Sequence, residues 1–98
     1  KEEPVPTYIM LSNLTQSGAK TIASKPKRIT EVNSELERQG IKVIAQYATL
    51  GPYDFVNVIE APDNATVGKA SLQLASRGTI QITTLAAIDI EDFIASLS

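Results

Sequence analysis

Two runs of β-branched and aromatic residues, Ile41 to Leu50 and Tyr53 to Ile59, are separated by nothing but Gly51 and Pro52. That spacing leaves room only for a tight reversal, so it predicts an antiparallel hairpin. Proline has no N–H to give a ladder, which puts Pro52 at the bend and outside both strands. The segments flanking the hairpin mirror each other in kind: a strand-like run and then helix-like ones precede it, and a helix-like run and then a strand-like one follow it.

Upstream, Thr7 to Leu14 alternate in a β-rich run, with Ile9 and Leu11 on one face and Tyr8, Met10 and Ser12 on the other. Thr15 stands where a helix cap belongs, and Ala19, Ile22 and Ala23 follow at helical spacing, predicting a short helical turn before Ser24-Lys25-Pro26. Pro26 suits the first position of the next helix, with Ser24 or Lys25 as its cap. Ile29, Val32 and Leu36 form the apolar stripe of that helix, Glu31, Glu35, Glu37 and Arg38 its other side, and Gly40 its end. Downstream, Asp63 is placed to cap a helix whose inward stripe is Val67, Ala70 and Leu74, closed by Gly78. Thr79 to Ile88 reads as a fourth strand. Residues 89–98 read as a short terminal helix, capped by Asp89 with Asp92 as partner and carrying Ile90, Phe93, Ile94 and Leu97. The order β-α-β-β-α-β with right-handed crossovers predicts an α+β fold: a ferredoxin-like, four-stranded antiparallel sheet with helices on one face.

Ninety-eight residues suit one core, so residues 1–98 are expected to form a single domain, with residues 1–5 a flexible terminus. No apolar run approaches the roughly 20 residues a membrane helix needs. Lys1-Glu2-Glu3-Pro4 does not have the layout of a signal peptide, and the cytoplasm is the expected location. The chain has neither cysteine nor histidine. Disulfides, thiolate chemistry, a Ser-His-Asp triad and the commonest metal and haem ligands are thereby excluded within it, and neither a metal nor a cofactor is expected. A net charge of −2 argues against a nucleic-acid partner.

The strands carry too few charges to leave their second face wet. With Ile9, Leu11, Val56, Val58, Ile80 and Ile82 assigned to the helices, Tyr8, Met10, Phe55, Ile59 and Leu85 fall on the opposite face, which is also apolar. Such a face predicts a homodimer built sheet on sheet, extended to a larger ring if the terminal helix joins in. Ser12, Asn57, Gln81 and Thr83 share the face, joined by Tyr47 if the register allows. They either satisfy one another across the interface or line a small-molecule pocket.

Taken together, Pro6-Thr7-Tyr8-Ile9-Met10-Leu11-Ser12, Lys25-Pro26-Lys27-Arg28, Gly51-Pro52-Tyr53-Asp54-Phe55-Val56, Glu60-Ala61-Pro62-Asp63 and Thr83-Thr84-Leu85 resemble the GYD domain family over about Pro6 to Phe93. The resemblance implies a dimeric α+β barrel of ferredoxin-like halves, similar to the fold of cofactor-free monooxygenases, and it implies no established activity. A similar hairpin occurs in the ligand-binding domains of leucine-responsive-type regulators, which bind amino acids between subunits. One departure stands out: Pro52 occupies the place where a glutamate is expected between the glycine and the tyrosine, so no carboxylate can act there.

The candidate ligand-binding residues are therefore Tyr8, Ser12, Tyr47, Tyr53, Asp54 and Asn57. Gly51, Tyr53 and Asp54 also have a structural explanation, in which glycine allows the turn, the tyrosine ring packs and the carboxylate accepts turn amides. Lys25, Lys27 and Arg28, with Lys20, form a basic cluster near a helix N-terminus, which reads as an anion site or as a solvated face. Three functions follow as expectations: a self-associating domain binding a small ligand near the subunit interface; a cofactor-independent monooxygenase- or isomerase-like enzyme using Tyr8, Tyr47, Tyr53, Asn57 or Asp54; and a purely structural assembly domain.

Overall fold

A computed structural model describes residues 5–98, so most of the expected flexible terminus, residues 1–5, lies outside the described residues. The elements run β1 (Thr7–Leu14), α1 (Gln16–Ser24), α2 (Arg28–Arg38), β2 (Lys42–Ala48), β3 (Phe55–Glu60), α3 (Asn64–Ala75), β4 (Ile80–Ala87) and α4 (Ile90–Ser96). The strands form one antiparallel sheet in the order β2-β3-β1-β4, the ferredoxin-like arrangement expected. None of the helices among the described residues is long and apolar enough to cross a membrane.

Local chemistry sets the boundaries. The Thr15 hydroxyl accepts the Gly18 N–H at 3.2 Å and donates to the Gly78 carbonyl at 2.7 Å, so it caps α1 and ties it to the start of β4. Asp63 caps α3 by accepting the Thr66 N–H at 2.8 Å. Gly40 and Gly78 follow α2 and α3 with φ of 85° and 75°, a region that side chains disfavour. At α2 the expected start shifts. Lys25 to Arg28 form a turn closed by the Arg28 N–H on the Lys25 carbonyl at 3.0 Å, with Pro26 in its second position, where a fixed φ is most useful. The helix therefore begins at Arg28, and its cap position, Lys27, has no side-chain cap bond.

The core lies between the sheet and α2 and α3: Tyr8, Met10, Leu36, Ile41, Ile59, Ala61, Val67, Ala70 and Leu74 are buried together, with Val32, Val43, Ile80 and Ile82 against them. This reverses the expected faces of β1 and β3. Antiparallel partners share a face, and the register pairs Tyr8 with Ile59, Met10 with Asn57 and Ser12 with Phe55, all turned toward the helices. Ile9, Leu11, Val56 and Val58 lie on the other side. Period-two alternation separates the two faces of a strand but cannot say which is inside when both are apolar. In β4, Ile80 and Ile82 face the helices as expected, while Gln81, Thr83 and Leu85 face away.

In β2 a bulge intervenes: Val43 pairs with Ile59 and Ala45 with Val58, leaving Ile44 as an extra residue. Gln46 consequently faces the helices, opposite Asn57, and Tyr47 faces away, opposite Val56. α4 stands apart. None of its residues is buried, and Ile90, Phe93, Ile94 and Leu97 are all exposed.

Candidate functional site

The Gly51-to-Asp54 stretch is a wider turn than two residues, because β2 ends at Ala48 and β3 begins at Phe55. Thr49 holds it at the base: its N–H meets the Asp54 carbonyl at 2.8 Å and its hydroxyl donates to the Tyr53 carbonyl at 2.6 Å. Gly51 has a φ of 120°, so glycine is needed there for conformation, with no atom within 4 Å of where a Cβ would sit. Asp54 reaches across to the end of β1. Its carboxylate accepts the Leu14 N–H at 2.8 Å, and its own N–H donates to the Ser12 carbonyl at 2.9 Å. The motif aspartate thus satisfies a strand-end amide instead of pointing into a pocket.

A partly open cavity lies elsewhere. Between the sheet and helices α1 and α2 is a cavity of about 150 Å³, whose sheet side is Ser12, Leu14, Gln46, Phe55, Asn57 and Ile80 and whose helix side includes Gly18, Thr21, Ile22, Ile29 and Val32. α2 turns Ile29 and Val32 of its stripe to the sheet, whereas α1 turns Gly18, Thr21 and Ile22 inward and leaves Ala19 and Ala23 of its expected stripe exposed, so the walls mix aliphatic with polar side chains. Gly18 brings α1 so close to β4 that an added Cβ would stand 1.9 Å from the Thr79 carbonyl oxygen. Gln46 and Asn33 exchange two amide hydrogen bonds, 3.0 and 3.3 Å, across the sheet–α2 gap. The neighbouring Asn57 Oδ1 is buried and has no hydrogen-bond partner among the described residues. Arg28 and Arg77 also line this space, both partly exposed and both in ion pairs, Arg28 with Glu31 at 2.7 Å and Arg77 with Glu35 at 2.5 Å.

Of the sequence-derived ligand candidates, Ser12 and Asn57 meet in this cavity, on the helix side of the sheet and not on the open face assigned to them. Tyr8 also faces the helices, and its hydroxyl donates to Asn64 Oδ1 at the start of α3. Tyr47 is on the opposite face, 60% exposed, and Tyr53 and Asp54 belong to the turn. The six residues do not converge on one point. Ile22, Ile29 and Val32 are legible in the sequence only as apolar positions of two helices and Gly18 carries no such signal, and their joint role appears once α1 and α2 are placed over the sheet.

Among the described residues, two apolar surfaces have no neighbour. On the open sheet face, Ala45, Val58, Ile9 and Leu85 form one cross-strand row and Tyr47, Val56, Leu11 and Thr83 the next, with Lys42 and Glu60 at the edge. The second surface is α4, where Ile90, Phe93, Ile94 and Leu97 recur at i, i+3, i+4 and i+7, one face of a helix.

In the basic cluster, Lys25 and Lys27 are exposed and flank Pro26 in the turn between α1 and α2, while Arg28 is bound to Glu31 one turn along α2. On the same helix, the double hydrogen bond from Arg77 holds the Glu35 carboxyl below its ordinary range, and the same bond raises the Arg77 guanidinium. Asp63 is lowered likewise by its bonds from the Thr66 hydroxyl and amide. Among the described residues there is no group of three or more metal-ligating acidic, histidine or cysteine side chains.

The family model for the GYD domain matches residues 8–97. A protein of Thermus thermophilus, described as a glutamine synthetase and cystathionine beta-lyase binding protein, is 60% identical over 94 residues, covering 95% of this chain and 99% of the relative. No solved structure matches. With the family match running from β1 through α4, this chain belongs to the GYD domain family.

Proposed function

We propose that this chain is a non-catalytic interaction module, in which two copies associate through their open sheet faces and α4 presents an apolar stripe to a partner enzyme. The observation that carries this reading is the presence, among the described residues, of two separate apolar surfaces that nothing covers. An extended apolar patch of this kind marks an interaction surface, since water is a poor neighbour for it. The sheet face is broad and made of cross-strand rows, which suits a two-fold contact with its own copy. The α4 stripe is narrow and protruding, which suits insertion of a helix into a groove on another protein. The name of the 60% identical relative supplies the first candidates, glutamine synthetase and cystathionine beta-lyase.

The test uses the purified chain with glutamine synthetase and cystathionine beta-lyase from the same organism. Light scattering is expected to give twice the mass of one chain, Leu85→Asp to halve it, and Phe93→Asp to leave it unchanged while abolishing capture of the enzyme. A monomeric parent would overturn the self-association. Full enzyme capture by Phe93→Asp would remove α4 from the contact.

A further inference from the structure

We propose that the cavity between the sheet and helices α1 and α2 is a binding site for a small, neutral aromatic molecule that carries one hydrogen-bond donor. The site lies on the opposite side of the sheet from the self-association surface, so it stands independently of the function proposed above.

Size sets the first limit. A cavity of about 150 Å³ is several times the roughly 30 Å³ that one water takes up in the liquid, and an apolar cavity of that volume accepts a six-membered carbon ring. Ile22, Ile29, Val32 and Phe55 supply apolar wall for a ring, and Ser12, Thr21 and Asn57 supply polar groups beside it. Polarity sets the second. Among the described residues, Asn57 Oδ1 is buried without a donor, and the Gln46 amide opposite it on β2 turns one N–H to Asn33. A buried acceptor without a partner costs free energy that a ligand N–H or O–H recovers on binding. Charge sets the third. The cations that line this space, Arg28 and Arg77, are already paired with Glu31 and Glu35. The charge at the mouth is thus already balanced pairwise, leaving no net charge to attract an ion of either sign, so a neutral molecule is favoured.

Phenol is the probe, with toluene as the isostere lacking a donor and benzoate as the charged control, each titrated into the full chain and followed by NMR of the side-chain methyl and amide signals. Phenol is expected to shift the Ile22, Ile29 and Val32 methyls and the Asn57 side-chain amide, and to bind roughly 3- to 10-fold more tightly than toluene. Benzoate is expected to bind more weakly than either. Asn57→Val should erase the preference for phenol while toluene still binds, and Ile22→Phe, which fills the space, should abolish both while the chain stays folded. The proposal is overturned if phenol and toluene bind the parent equally, if benzoate binds as well as phenol, or if the shifts map to the open sheet face. Absence of saturable phenol binding would overturn it too.

Discussion

The Asp54 carboxylate accepts the backbone N–H of Leu14 across 2.8 Å, joining the central turn to the last residue of β1. Removing the acceptor leaves a part-buried amide without a partner, so Asp54→Ala is expected to cost about 1–3 kcal/mol. At this chain length each kcal/mol moves Tm by about 4–8 °C, which thermal unfolding resolves. Asp54→Asn keeps one acceptor oxygen and should lose less. If Asp54→Ala melted with the parent, the bond would have no part in stability.

Glycines 18 and 68 are expected to respond to alanine with opposite signs. At Gly18 the new methyl would collide with backbone, 1.9 Å from the Thr79 oxygen, and the forced separation of α1 from β4 should cost at least about 1–3 kcal/mol. Gly68 is an exposed position inside α3, with nothing within 4 Å of a Cβ, and alanine there should add about 0.5–1 kcal/mol by restricting the unfolded chain. Paired urea titrations of the two variants make the comparison.

Acid should weaken the Glu35–Arg77 bridge. Because the folded-state pKa of Glu35 lies below its ordinary value of 4.5, the bridge contributes fully above that pH and is lost as pH falls through the lower, folded value. Both side chains meet solvent, at 26% and 41% exposure, so screening holds the contribution below about 1 kcal/mol. Glu35→Gln is expected to lower stability at pH 7 and to converge with the parent as the pH falls below the folded value. A constant offset between the two curves would assign the loss to packing instead.

Cutting the chain after Ile88 removes α4 and no buried residue. In the Leu85→Asp background, where self-association is removed, the truncated chain should melt within about 2 °C of its full-length counterpart, a shift of under ~0.5 kcal/mol. A larger fall would mean that α4 packs on its own chain.

Signals that act within one turn of the backbone are readable from residue order. Thr15, Asp63 and Asp89 cap the helices they are expected to cap, and Gly40 and Gly78 take the positive φ their positions require. The topology follows from those boundaries. What residue order leaves open is the choice of face: Tyr8 and Ile9 are both apolar enough to be inside, and only the packing of α2 and α3 decides for Tyr8. Contacts between distant segments are equally out of reach. Nothing near Asp54 announces a bond to a residue 40 positions away, and nothing near Asn33 announces Gln46. The cavity inherits both uncertainties, because it exists only where the inward face of β1 and β3 meets α1 and α2.

The bulge at Ile44 gives β2 a spare residue. If Ile44 were deleted, Val43, Ala45, Gln46 and Tyr47 would fall into plain alternation with their present partners, and neither face of the sheet would change its occupants. β1 has no such reserve: it is paired on both sides without a break, and losing Met10 would turn one half of the strand over. Among relatives of different length, a missing residue is therefore expected in this edge strand and not in β1. A one-codon deletion at position 44 should leave a folded protein where the same deletion at position 10 leaves none.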